Sequence, residues 1–257
     1  MLEEDDDNKS NNKDDRSANK GSLIIVGSGI QAIRHFTVES TQAIEQADKV
    51  LLLVAEPITE MWIKRLNPNA ESLVDCYVDG KHRIDTYREI TQRTLNYVRE
   101  GLNVCVVWYG HPGVFVYPSY ASIRLARQEG FTARMLPGIS AQDCLFADLN
   151  IDPSIGCQSF EATSFLLSKH KSDTTCHLIL WQIGAIGDLT YNPSKDNKSG
   201  LIILRDFLKK YYDTGHEVVV YEAAQYAVCK PVIQHLPLSR LNEAHVDLAS
   251  TLYVPPK

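Results

Sequence analysis

Three glycine-bearing turns carry the residues best suited to chemistry, and each follows an apolar run. The most distinctive is WYGHPGVF at 108–115, where a strand breaks into Gly-His-Pro-Gly. Gly110 and Gly113 let backbone amides and carbonyls face a ligand closely, and Pro112 stiffens the bend. Tyr109 and Phe115 would bracket an aromatic or sulfonium-bearing ligand, because an aromatic face suits a cationic sulfur. In open α/β sheets, ligands lie beyond the carboxyl ends of the strands, where this turn would sit. The same residues read equally well as a rigid surface turn with His111 idle. The second turn is MLPGISAQD at 135–143. Ser140 and the first amides of the helix it opens could accept an anionic or polar group, or Ser140 could serve only as a cap. The third, GSGIQA at 27–32, fits a loose G-x-G-x-x-A, a pattern that often marks only a tight turn. A dinucleotide site would want an acid at the end of the next strand, and Glu56 fits that poorly.

The elements around these turns alternate. SLIIVG and KVLLLVA read as buried strands, SLVDCYV as a weaker one, and NVCVVW as another. Helices are expected over 37–49, 83–100 and 118–129. The second of these has a stripe of Tyr87, Ile90, Thr94, Leu95 and Val98, and Gly101 stops it. The third is opened by Pro118 and closed by Gly130. Apolar strands alternating with amphipathic helices predict a largely parallel sheet covered on both faces. A second half begins near 134–137. TARMLPGIS reads as its first strand, followed by a helix from Ser140 to Leu149 with Asp143 completing a capping box. HLILWQI, HEVVVYEA and STLYVPP read as further strands, 201–212 as a helix, and 189–200 as a surface loop. The expected division is therefore 21–134 and 135–257, preceded by an acidic tail at 1–20.

Composition narrows the function classes. The net charge is −6, and half of it falls in the first 20 residues, which hold almost nothing apolar and predict disorder. The remainder is nearly neutral and offers no electrostatic reason to bind nucleic acid. No apolar run approaches the ~18–20 residues of a membrane span. The six cysteines form no C-x-x-C pair and have no histidine at zinc-finger spacing. They read as reduced thiols of a cytoplasmic protein rather than metal ligands.

Beyond these readings, GHPGVF followed by LPGISAQDCLFADLNIDPS resembles the tetrapyrrole-methylase superfamily. More closely, it resembles its borosin, or omphalotin-type, peptide backbone N-methyltransferases. DGKHRIDTY (79–87), SFEATSF (159–165), LILWQIG (178–184), VVVYEAA (218–224) and STLYVPPK (250–257) extend the likeness from about Gly21 to Lys257. The resemblance implies a two-domain α/β (class III methyltransferase) fold with a cofactor cleft between the halves. It implies S-adenosylmethionine as methyl donor and a ribosomally made precursor peptide as substrate. The family typically works as a homodimer, and a heterotetramer with the precursor is a further expectation. Two departures stand out. The G-x-G-P-G opening of tetrapyrrole enzymes is GSGIQA here, which argues against a porphyrin. Fused borosin enzymes continue past the PPK segment into the peptide they methylate. A chain stopping at Lys257 reads as a split enzyme with its precursor supplied in trans, or as a truncated form.

A peptide nitrogen is a poor nucleophile because its lone pair is delocalised into the carbonyl. Methylating it places negative charge on the oxygen and removes the N–H proton, so a site must stabilise the one and accept the other. The resemblance implies Arg83 and Tyr87 as catalytic, with Tyr109 closing the pocket near the donor and Tyr77 assisting. Arg83 would stabilise the oxyanion. Tyr87, one helical turn later, would act as base or proton relay, its phenol made more acidic by the guanidinium. Some relatives carry a further tyrosine three positions before Tyr77, where this chain has Val74. For the cofactor, the matched positions are Tyr109, His111, Val114, Ala141, Gln182, Ala223, Ser250 and Thr251. Two rival readings keep the fold: a small-molecule methyltransferase acting on a tetrapyrrole-like ring, and a non-catalytic binding module.

Overall fold

The computed structural model describes residues 21–192 and 197–257. The expected tail at 1–20 and part of the expected loop at 189–200 lie outside the described residues.

The first half is a five-stranded sheet of β1 (Ser22–Gly27), β2 (Lys49–Leu53), β3 (Ala70–Ser72), β4 (Asn103–Trp108) and β5 (Thr132–Met135). Its order is β3-β2-β4-β1-β5, and every pairing is parallel. The crossovers are α1 (Val38–Gln46), α2 (Pro57–Leu66), α3 (Arg83–Arg99) and α4 (Tyr117–Gln128). Both faces are covered, which is why the strands read as unbroken apolar runs rather than alternating ones. Leu23, Ile25, Val104 and Val106 face Ile90, Leu95 and Val98 of α3 and Ala126 of α4. Val26, Val50, Leu52, Cys105 and Val107 face Ile44 of α1 and Ile63 of α2. Each such fully buried aliphatic side chain contributes about 1.5–3 kcal/mol. Gly101 ends α3 as expected: its φ of +88° suits glycine, and its N–H donates to the Val98 carbonyl while Leu102 N–H reaches that of Tyr97.

The second half is a mixed sheet of β6 (Cys157–Glu161), β7 (His177–Trp181), β8 (Glu217–Glu222), β9 (Val232–Pro237) and β10 (Thr251–Val254). The order is β6-β7-β10-β8-β9, parallel only between β6 and β7. One face packs on α6 (Ala162–Leu167) and α7 (Lys198–Leu208) through Phe165, Leu201, Leu204 and Leu208. The other takes Leu145 of α5 (Ala141–Asp148) against Ile179, Trp181, Val219, Tyr221 and Tyr253. Among the described residues, no helix is long and apolar enough to cross a membrane.

Several expectations need correction. SLVDCYV is not a strand: β3 ends at Ser72, and Val74–Cys76 is a 3₁₀ turn. Thr132–Met135, read with the second half, is the edge strand of the first sheet, paired with β1. The sequence reading missed α2, α6, β6 and β9. The last two are edge strands, and Val232 and Ile233 of β9 are exposed, so they lack the apolar run that marks a central strand.

Candidate active site

β1 and β4 are neighbours in a parallel sheet, so the turns that follow them meet. Gly29 N–H donates to Gly110 O at 3.2 Å, and Gly110 N–H donates back to Gly29 O at 3.0 Å. A Cβ on Gly27 would lie 2.1 Å from the Gly110 carbonyl oxygen, and one on Gly138 would lie 3.3 Å from it. The three turns, separate in the sequence, form one glycine-lined wall at the carboxyl edge of the sheet. His111 helps to build it, since its Nδ1 accepts the Gly113 N–H at 2.9 Å. Ser140 is spent as a cap: its N–H and Oγ both donate to Asp143 Oδ2 at 2.7 Å, and Asp143 N–H donates to its Oγ at 3.3 Å. Glu56 is spent likewise, accepting the N–H groups of Ile58 and Thr59 at the head of α2. That closes the dinucleotide reading.

The second sheet faces this wall with one edge. β7 ends at Trp181, whose ring lies 5.9 Å from that of Phe115 in the Gly-His-Pro-Gly turn. Gln182 follows with φ 57° and ψ 38°, and Phe115 also has φ 57°. Left-handed conformations cost a non-glycine residue energy and gather at functional sites. Ile183 N–H donates to Ser250 O at 3.2 Å, and Thr251 pairs with Tyr221, so Gln182, Ser250 and Thr251 share this edge. Ala141 and Ala223 pack in the cluster beneath it. Past β8, Ser250 Oγ donates to Glu222 Oε1 at 2.5 Å. The Gln225 carbonyl accepts the Ala32 N–H at 2.8 Å, tying the halves together. Tyr109 sits between them. Burial pushes its phenol up to about 12, with Cys144, Asp247 and Glu222 adding to the rise and a hydrogen bond from Gln225 opposing it. Burial and Asp247 also raise the Glu222 carboxyl. Val114, in the turn after Gly113, is exposed. Carbonyls, an aromatic ring and acidic groups lining one crevice suit a polar ligand carrying positive charge.

A second group of side chains gathers at the head of α3. Segment 189–191 runs against 80–83: Gly80 N–H donates to Tyr191 O and Arg83 N–H to Leu189 O, both at 2.9 Å, and Tyr191 N–H donates to Lys81 O at 3.0 Å. Arg83 Nε donates to Thr190 O at 3.1 Å. Neither terminal guanidinium nitrogen donates to a protein acceptor among the described residues. The Tyr87 ring stacks on Tyr117, centroids 6.1 Å apart, and Tyr77 meets Tyr191 edge-on at 5.1 Å. Tyr117 also begins a groove of about 460 Å³ along α4, lined further by Tyr120, Ile123, Arg124 and Arg127.

Burial raises the Tyr87 phenol; Arg83 pulls it down, as expected, but the net direction is upward. Tyr77 is raised for the same first reason, with the nearby Tyr87 adding to it and Arg83 opposing. The structure thus brings Arg83, Tyr77 and Tyr87 together and sets Tyr109 in the neighbouring crevice with the matched cofactor positions. Sequence reasoning missed Tyr117, Tyr191, Glu222, Gln225 and Asp247. Tyr117 lies two residues past GHPGVF and could have been included; the others carry no local signal.

The chain belongs to the tetrapyrrole (corrin/porphyrin) methylase family, which it matches over residues 22–234. Its fold matches that of cobalt precorrin-4 methyltransferase, a cobalamin biosynthetic enzyme, with a TM-score of 0.66 at 18% identity over 93% of this chain and 96% of that one. The uroporphyrin-III-C-methyltransferase of Thermus thermophilus gives 0.64 at 15% identity, covering 92% of each chain. In sequence the chain is nearer to fungal proteins named as a methyltransferase joined to a ribosomal peptide precursor. It is 46% identical over 242 residues to the gymnopeptides precursor protein of Gymnopus fusipes, and 42% over 244 to the omphalotin A precursor protein of Omphalotus olearius. It is 42% identical over 246 residues to a type I borosin precursor protein of Coprinopsis marcescibilis. These alignments take in 92% of this chain but only 58–62% of the relatives' length.

Proposed function

We propose that this chain is an S-adenosylmethionine-dependent methyltransferase that N-methylates backbone amides of a ribosomally made precursor peptide, one methyl after another. One observation carries the reading: Arg83 is anchored through Nε to Thr190 O, its terminal nitrogens donate to no acceptor among the described residues, and the Tyr77 and Tyr87 phenols stand in its field. The likeness to methyltransferase–precursor proteins supports the choice of a peptide.

The crevice fits the cofactor by its donor set. Gln182 offers an amide group, Tyr109 an aromatic face, and Glu222 and Asp247, bridged by the Ser250 hydroxyl, acidic groups that favour a cationic sulfur and ammonium. When bound, S-adenosylmethionine supplies the electrophilic methyl. The remaining work falls to the chain. The terminal nitrogens of Arg83 donate to the amide oxygen and stabilise the charge that gathers there as the nitrogen becomes nucleophilic. Tyr87 first yields its phenolic proton to solvent and then, as the phenolate, takes the N–H proton. Its raised pKa makes the phenolate a stronger base once formed, and Arg83 holds that phenolate beside it. Tyr77 assists from across the cluster, and Tyr109 closes the crevice around the donor.

Tandem mass spectrometry of a precursor peptide incubated with the protein and S-adenosylmethionine tests the reading. Single-methyl increments stepping along backbone fragment ions are expected. Methyl groups on side chains only, or turnover of a tetrapyrrole but not of the peptide, would point to another methyltransferase of this fold. Binding of S-adenosylhomocysteine with no turnover at all would mark a non-catalytic module.

A further inference from the structure

Tyr77 follows a three-residue strand and a 3₁₀ turn, two of the shortest elements in the fold. Val74 and Val78 on either side are 62% and 55% exposed, while Leu73 and Cys76 are buried in the core of the first half and Tyr77 packs against it, so the core seats the segment on one side only. On the other side it is held by side chains from α3 and its approach. Arg93 Nη1 donates to both oxygens of Asp75, at 3.0 and 2.8 Å, and lies 3.6 Å from Cys76 Sγ. Its Nη2 donates to Glu71 in the middle of β3. Glu71 is held in turn by Tyr97 Oη at 2.9 Å and Lys49 Nζ at 2.5 Å. The Cys76 carbonyl accepts from Lys81 Nζ at 3.0 Å and from Thr86 Oγ1 at 3.3 Å.

Isolated surface ion pairs contribute little. This arrangement differs because each terminal nitrogen of one planar guanidinium serves a different carboxylate, and the two carboxylates belong to separate elements. Burial pushes the Glu71 carboxyl up, yet its bonds to Lys49, Tyr97 and Arg93 outweigh that and hold it down at about 2. The same helix carries Arg83 and Tyr87 at its head, so it sets all three groups relative to one another.

We propose that Arg93 is a positioning residue: it ties the Asp75–Cys76 turn to α3 and thereby holds Tyr77 in register with Arg83 and Tyr87. The functional part of this inference rests on the reading of Tyr77 as a member of the reacting cluster; the structural part does not.

The test places 3-fluorotyrosine at position 77 and records fluorine NMR of the full chain alongside methylation kinetics. In Arg93→Ala the resonance should shift or split while the thermal midpoint stays nearly unchanged. Its kcat should fall roughly ten- to a hundredfold, as misplacement of a reacting group by about 1 Å does. KM for S-adenosylmethionine should not change. Arg93→Lys should recover only part of the loss, since one ammonium cannot span both carboxylates. Adding Arg93→Ala to Tyr77→Phe should slow the enzyme no further. Should Arg93→Ala melt early, Asp75→Asn removes the turn contact alone and should move the same resonance. A resonance unmoved in a folded variant overturns the proposal, as do additive losses in the double mutant. A moved resonance with undiminished turnover upholds the tie and removes Tyr77 from the reaction.

Discussion

The two parts of the site are built from different materials. The wall of the crevice is backbone: Gly27, Gly29, Gly110 and Gly138 meet so closely that an added Cβ on Gly27 would fall 2.1 Å from a carbonyl oxygen. The cluster at the head of α3 is side chain: Arg83, Tyr77 and Tyr87, oriented by Thr190, Tyr191, Tyr117 and the Arg93 network. A wall of backbone fixes shape and tolerates no added volume. A cluster of side chains fixes charge and proton affinity, and these can be removed one atom at a time without loss of the fold. The lesson is that mutations in the two regions should fail in different ways.

The largest effect is expected in the cluster. Arg83→Ala should lower kcat about a thousandfold by removing the donors aimed at the amide oxygen. Calorimetry with S-adenosylhomocysteine should show nearly unchanged affinity. Equal loss of binding and turnover would move Arg83 out of the reaction and into the structure. Tyr87→Phe should follow, slower by about a hundredfold, because its phenolate oxygen is the proton acceptor. Its circular dichroism and melting curve should match the parent. A Tyr87→Phe variant at full rate would hand the proton to another group, with Tyr77 next in place.

The wall should fail through stability instead. Gly27→Ala should cost up to about 3 kcal/mol of folding stability, because the Gly110 carbonyl must move or the strands must part. Denaturant unfolding measures this, and S-adenosylhomocysteine affinity should fall with it. A stable Gly27→Ala variant that still binds would show that the turns are looser than their contacts imply. The smallest effect belongs to Ser140→Ala. Loss of the capping box should cost about 1 kcal/mol and lower the thermal midpoint by about 3 °C. Turnover by the folded fraction should be unchanged, since Ser140 is committed to Asp143.

The wall was largely legible in the sequence. Glycine turns after buried strands are local patterns, so GSGIQA, GHPGVF and LPGIS each stood out, but LPGIS was read with the second half because nothing local assigns its strand to the first sheet. The central strands of the first sheet, β1, β2 and β4, were legible because strands buried on both faces read as unbroken apolar runs, whereas its edge strands β3 and β5 were misplaced. The cluster was only half legible. Arg83 and Tyr87 lie one turn apart on a helix, but Tyr191 and Thr190 reach them from more than 100 residues away through backbone hydrogen bonds that carry no sequence signature. The net upward direction at Tyr87 was hidden because burial is a tertiary property. A guanidinium four positions away is visible in the sequence; the packing of Tyr117 over the phenol is not. The second sheet was misread at its edges, where β6 and β9 lack apolar runs.

Direct observation of the reacting geometry tests the central claim most sharply. A crystal structure with S-adenosylhomocysteine and a precursor peptide should place one amide oxygen within about 3 Å of an Arg83 terminal nitrogen. The same amide's nitrogen should face the thioether sulfur, with the Tyr87 hydroxyl in hydrogen-bonding reach. An extended chain lying elsewhere, with Arg83 turned from it and a side chain of the peptide presented to the sulfur, would contradict the account.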